Sequence, residues 1–207
     1  MYPTLLVFAS LVAAITSVDS QETSSVDAWK TVSLPGAFYL KYRSYEKDDS
    51  LGGTGKCVSI QLSKADQDTK TAVSKMRYRD PQTNQMTEKT VCAKVATPLS
   101  DTIQMGDGEN CEGATTRVRF VYSDYENCDV TVVLGTDGSS PKCELWVKEG
   151  YQQLPEANAD AVASRDDASV KTNLAKCKEE YDNQCKDQTK YRIYDTDTCG
   201  SLAKPSK

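Results

Sequence analysis

From Phe38 to Glu149 the chain runs in short segments rich in Val, Ile, Thr, Tyr and Phe, separated by clusters of Gly, Pro, Asp and Asn. β-Branched and aromatic residues fit a pleated surface, and runs of this length between turn residues read as strands. The pattern predicts eight of them: Phe38–Tyr45, Cys57–Ser63, Ala72–Tyr78, Met86–Ala96, Thr102–Met105, Thr115–Tyr122, Cys128–Leu134 and Lys142–Lys148. Strong breakers stand between them: Gly52-Gly53, Asp80-Pro81, Gly106-Asp107-Gly108 and Thr136-Asp137-Gly138, the last an Asp-Gly hairpin signal. Within Met86–Ala96, Thr87, Lys89 and Val91 alternate with Glu88, Thr90 and Cys92, so neither face is fully apolar. A sandwich core asks for a greasier inner face, whereas a barrel with a polar-dotted interior tolerates this mixture. Eight antiparallel strands closed into an up-and-down barrel, about residues 36–150, are therefore expected.

After Gly150 the texture changes. Pro155 to Arg165 is rich in Ala and Asp, and from Asp166 to Tyr181 the residues Val170, Leu174, Cys177 and Tyr181 recur at steps of three and four. That spacing predicts one amphipathic helix, whose apolar face needs the outside of the barrel as its partner. The tail from Cys185 to Cys199 holds few apolar residues beyond Tyr191, Ile193 and Tyr194 and is expected to owe its order to the bracketing cysteines.

At the other end, Leu5 to Ile15 is an apolar stretch of about ten residues, the length of a signal-peptide core and too short to span a bilayer. Residues 1–20 read as a signal peptide cleaved after Ser20, although no Lys or Arg precedes the apolar core. Residues 21–207 then form a single secreted, monomeric domain. All eight cysteines lie in this part, and an even count behind a signal peptide reads as up to four disulfides. Structural zinc is not expected, because there is no close cysteine pair and no histidine. The same absence of histidine rules out Ser-His-Asp and Cys-His catalysis, and no enzyme activity is expected. A net charge of −5 without a basic stripe gives no footprint for nucleic acid, and no later apolar run is long enough for a membrane helix.

A family likeness is carried by particular residues. Cys128-Asp129-Val130, Glu144-Leu145-Trp146 and Cys177, in that order, resemble the signature of the tick salivary lipocalins, in particular the histamine-binding proteins. Tyr122-Ser123-Asp124, Gly135-Thr136-Asp137-Gly138, Asp27-Ala28-Trp29-Lys30 and Thr87-Glu88-Lys89 resemble the family as well. The resemblance implies a lipocalin-like barrel with a helix packed outside it, and disulfides Cys57–Cys199 and Cys128–Cys177. Cys92, Cys111, Cys143 and Cys185 then allow three pairings. Alternation puts Cys143 opposite in facing to Glu144, toward the helix, which favours Cys143–Cys185 with Cys92–Cys111.

A protonated amine that enters a closed cavity loses its hydration, and carboxylates and aromatic faces are what return the lost interaction. Alternation sets Glu144 and Trp146 on one face of their strand, and Asp129 on the preceding strand lies within reach. The resemblance assigns this trio to an inner amine site, with Thr31 near Trp29 as a hydroxyl neighbour; Pro35 stands where the family's binders can offer another acid. A second, outer site carries over to Tyr45, Asp48 and Glu88. Leu51 replaces an aromatic there, and Thr102 to Thr116 lacks the rings the family uses, so this site is expected to be weak or changed in preference. The implied function is sequestration of a small molecule, a biogenic amine such as histamine or serotonin, with no cofactor. Two alternatives stay open. One is a binder of fatty-acid-derived mediators, which needs a cation such as Arg43, Arg117 or Arg119 in the pocket. The other is a blocker of a host defence protein such as a complement component.

Overall fold

The computed structural model describes residues 26–51, 53–135, 140–152 and 165–200. The expected signal peptide, the Thr136-Asp137-Gly138 turn, Gly52 and the Ala- and Asp-rich stretch before Arg165 lie outside the described residues. Eight strands follow one another: β1 (Ala37–Arg43), β2 (Lys56–Asp66), β3 (Thr71–Arg79), β4 (Met86–Val95), β5 (Thr102–Asp107), β6 (Thr116–Ser123), β7 (Cys128–Leu134) and β8 (Lys142–Lys148). Each pairs antiparallel with its chain neighbour, and β1 pairs with both β2 and β8, which closes the sheet. This is the eight-stranded up-and-down barrel that the segment pattern predicts and the lipocalin-like barrel that the resemblance implies.

The glycines at the end of β5 depart from their predicted role as a breaker. Gly106 and Asp107 continue the strand, and a Cβ on Gly106 would stand 3.0 Å from the Cα of Ala114. The glycine permits a close backbone approach here, and the chain turns one residue later, at Gly108 with φ of +90°.

The long helix α2 (Arg165–Gln184) is joined by two short ones, α1 (Ala28–Val32) and α3 (Thr196–Cys199), and by a two-residue strand β9 (Tyr191–Arg192). None of these three short elements has a signal in the hydrophobic pattern. Asp27 caps α1 by accepting from the Lys30 amide, and Ala28 packs with Ala93, Ile103, Val118 and Phe120, so α1 stoppers one end of the barrel. The tail is held by more than its cysteines: β9 pairs with Tyr42 and Arg43, and the Ile193 carbonyl accepts from the Cys57 amide at 3.0 Å.

β7 and β8 are covered on both sides, and this sets the site. Their outward residues Val130, Val132, Leu145 and Val147 pack under Leu174, Cys177 and Tyr181 of α2. Side chains of this size contribute about 1.5–3 kcal/mol each when fully buried. The disulfides are Cys57–Cys199, Cys92–Cys111, Cys128–Cys177 and Cys143–Cys185. The last two bolt α2 and the residue just after it onto β7 and β8, leaving the inward residues of both strands fixed against the barrel interior.

Replacing Cys128 and Cys177 together by Ala is expected to lower the unfolding free energy by about 2–4 kcal/mol, since a loop of that length is then free in the unfolded chain. Guanidinium unfolding under non-reducing conditions measures it. Unchanged stability would show that the bridge does not brace α2.

Candidate functional site

A cavity of about 110 Å3 lies inside the barrel above α1. Its walls are apolar, with Phe38, Ile60, Met76 and Phe120 among them, and its polar side is made by Thr31, Asp129, Thr131, Glu144 and Trp146. Strand register explains the grouping. Asp129 pairs across the sheet with Trp146, and Thr131 with Glu144, and directly opposed residues project to the same face.

Two β-bulges complete the constellation. On β6 the register shifts between Phe120 and Tyr122, so that Tyr122 turns outward and Ser123 comes inward opposite Asp129. On β1 a shift between Leu40 and Tyr42 sends Tyr42 out against Tyr181 and sets Arg43 opposite Glu144. Asp124, next to Ser123, accepts from the amides of Glu126, Asn127 and Cys128 and so shapes the turn that leads into Asp129.

The two carboxylates stand in different conditions. Glu144, 7% exposed, has a full set of donors: the Tyr45 hydroxyl on one oxygen, and Thr131 Oγ1 and Trp146 Nε1, each at 3.0 Å, on the other. Burial raises its pKa, and the three donors work against that rise. Asp129, 5% exposed, has Oδ1 without any hydrogen-bond partner. Burial pushes its pKa up to about 7, opposed by the Ser123 hydroxyl and assisted by the charge of Asp124. Asp129 is thus the open position of the site and Glu144 the closed one.

The other residues singled out in the sequence fall in several places. Thr31 is buried on the cavity wall, and its hydroxyl donates to the Asp27 carbonyl at 3.1 Å. Trp29 does not reach the cavity; its indole donates to Gln67, and the Lys70 ammonium stands 5.1 Å from its ring. Tyr45 and Asp48 line a second cavity, of about 310 Å3, that adjoins the first toward the other end of the barrel. Tyr45 also reaches inward to Glu144, a link not visible in sequence.

Glu88 corrects the expected outer trio. It projects from the outer face of β4 and is bound by Arg77 at 2.7 Å and Lys75 at 3.8 Å, whereas its neighbour Lys89 lines the outer cavity. Alternation decides this: with Val91 inward, Lys89 is inward and Glu88 is not. Leu51's side chain lies outside the described residues.

The cations considered for a fatty-acid carboxylate are also elsewhere. Arg117 and Arg119 are exposed on the outer face of β6. Arg43 is buried and donates to the carbonyls of Glu46 at 2.6 Å and Gly53 at 3.2 Å, holding the loop that carries Asp48. Among the described residues no Lys or Arg lines the inner cavity. Thr131, Ser123 and the two bulges escape sequence reasoning; Thr131 alone has a signal, lying two residues from Asp129 on the same face.

The raised pKa of Asp129 has a consequence for stability. The folded chain holds this proton up to about pH 7 and the unfolded chain loses it near the ordinary carboxylate value, so without a ligand stability falls as pH rises between those two values. Each pH unit in that window costs up to about 1.4 kcal/mol. Asp129→Asn is expected to flatten that slope in urea unfolding between pH 5 and 8, and an unchanged slope would show that Asp129 is not the titrating group.

Solved structures resemble this barrel. Japanin from Rhipicephalus appendiculatus, solved bound to cholesterol, superposes with a TM-score of 0.50 at 14% identity over 83% of this chain and 98% of its own. The amine binding protein of Rhodnius prolixus, solved with tryptamine, gives 0.49 at 15% identity over 88% and 94%. At 14% identity the likeness to japanin concerns the fold. The model of the tick histamine binding protein family matches residues 17–201, so this lipocalin, a small-ligand-binding barrel, belongs to the tick histamine-binding protein family.

Proposed function

We propose that the chain is a secreted, monomeric scavenger, one ligand-binding domain over residues 21–207, that sequesters a biogenic amine of the histamine or serotonin class without converting it. One observation carries the reading: a buried carboxylate oxygen of Asp129, with no partner, on the wall of an otherwise largely apolar cavity. An unpaired buried acceptor costs free energy, and a neutral ligand leaves most of that cost in place. An ammonium group removes it and returns a charge-assisted hydrogen bond to both partners.

The rest of the cavity suits such a ligand. Trp146, Phe38 and Phe120 offer ring faces to an aromatic amine, and cation–π contact adds about 0.5–2 kcal/mol. Glu144 supplies a second negative charge that its three donors hold in position. Secretion is supported by four disulfides and by the absence, among the described residues, of any helix long and apolar enough to cross a membrane. With no Lys or Arg on its wall among the described residues, the inner cavity is poorly suited to a fatty-acid carboxylate.

Isothermal titration of the mature protein with histamine, serotonin and tryptamine tests the reading. Saturable binding of at least one is expected, weakened at least about tenfold in Asp129→Asn and in Glu144→Gln, since a charge-assisted contact contributes about 1.5–3 kcal/mol. Arg117→Ala is expected to leave affinity unchanged. Silence toward every amine, with clear binding of a leukotriene, would reverse the assignment.

A further inference from the structure

The inner and outer cavities are contiguous: Met76, Val91, Met105, Val118, Glu144 and Trp146 line both. The common wall is thus an apolar collar interrupted by one carboxylate. Beyond it on one side lies Asp129, and on the other lie Asp48, Asp49 and Asp107. Resting on the amine reading of the inner site, we propose that the barrel also takes a linear dication, an α,ω-diamine or polyamine, threaded along its axis with one ammonium at Asp129 and the other at Asp48 and Asp49.

Three observations converge on that class. First, the order of surfaces along the axis is acid, apolar collar, acid, which matches ammonium, polymethylene chain, ammonium. Second, the charges do not cancel. Among the described residues five carboxylates line the joined cavities (Asp48, Asp49, Asp107, Asp129 and Glu144), against the three ammonium groups of Lys47, Lys89 and Lys142 and the buried guanidinium of Arg43 opposite Glu144, an excess of one negative charge. Lys89 is already held by Asp107 at 2.7 Å, and Lys142 stands 5.6 Å from the Tyr45 ring centroid. Among the described residues neither Asp129 nor Asp48 nor Asp49 is in an ion pair, so each end of the joined cavities has a carboxylate for an ammonium group. Third, the innermost acid is buried and presents an unpartnered oxygen, so the ladder starts from an acceptor able to take a donor directly.

The spacing sets the length of the ligand. Asp129 is level with Trp146, and Glu144 lies two residues further along β8, about 6.6 Å at the usual strand rise. The Tyr45 hydroxyl then spans from Glu144 to Asp48, whose Oδ2 is 3.4 Å away. Ammonium groups on the order of 10 Å apart meet both ends. Because Tyr45 gives its hydrogen to Glu144, the lone pairs of its oxygen stay available to a passing secondary ammonium, which favours a polyamine over a plain diamine. Asp48 is kept in place by the Ser50 amide at 2.9 Å and the Ser50 hydroxyl at 2.6 Å.

Titration calorimetry on the mature protein decides the matter, with the eight-carbon terminal diamine and spermidine as probes, and the eight-carbon monoamine and the three-carbon diamine as controls. The long dications are expected to bind one per chain and at least about tenfold tighter than the monoamine of equal length. Asp48→Asn and Asp49→Asn are each expected to lower long-dication affinity more than monoamine affinity and so shrink that advantage, with unchanged circular dichroism. If monoamines bind and the long diamine gains nothing, or binds two per chain, the threaded dication is overturned and the inner amine site stands. If no amine of any length binds, the threaded dication falls, and the inner site stands or falls on its titration with histamine, serotonin and tryptamine.

Discussion

A carboxylate that has lost its water and gained no full set of partners governs this molecule. Asp129 sits 5% exposed with one oxygen unpaired, and every surrounding element contributes to keeping it so. Near a protein surface, two unit charges 4 Å apart interact by about 4 kcal/mol, against about 1 kcal/mol in bulk water. The barrel therefore makes the site strong by excluding solvent, and the same exclusion makes the ligand-free site uncomfortable. The upward push on the Asp129 pKa expresses that discomfort, because in the absence of a cation the group tends to hold a proton instead.

Such a group survives only in a scaffold stable enough to tolerate it. The stability comes from the other face of the same two strands. Val130, Val132, Leu145 and Val147 alternate with Asp129, Thr131, Glu144 and Trp146, so one pair of strands is apolar core outward and binding wall inward. Two disulfides tie α2 over the apolar side. A one-residue slip of β7 against β8 would turn Asp129 and Thr131 beneath the helix and Val130 and Val132 into the cavity. Register is thus protected by the helix and its bridges, and the binding wall inherits that protection.

What the sequence shows of this follows the range of the interactions involved. Period-two alternation is local, so the eight strands, the shared facing of Glu144 and Trp146, and the opposite facing of Cys143 are legible from residue order. The same alternation, applied to β4, already implies that Lys89 and Glu88 cannot both point inward. The family pattern draws Glu88 into the outer trio, while the structure pairs it with Arg77 on the outside. Bulges are different. A single extra residue at Lys41 or Val121 leaves no mark in a pattern of hydrophobic and polar letters, yet these shifts decide that Ser123 meets Asp129 and that Arg43 faces Glu144. The stopper α1 and strand β9 are too short for periodicity to register, and the Tyr45 contact with Glu144 bridges a separation of 99 residues.

The two acids divide the labour in a way that a symmetric pair could not. Were both carboxylates left open, like charges and double desolvation would protonate one or loosen the barrel, and were both fully satisfied, an arriving cation would have to displace existing donors at each. Here Glu144 spends its lone pairs on Tyr45, Thr131 and Trp146, fixing the indole and the tyrosine at the boundary between cavities. Its charge still acts through space on whatever enters. Asp129 keeps an acceptor unpaired, and with it the capacity for a new charge-assisted hydrogen bond. On the proposed amine reading, preorganisation lies with the first acid and affinity with the second, so a neutral substitution at either position removes a different half of the same interaction.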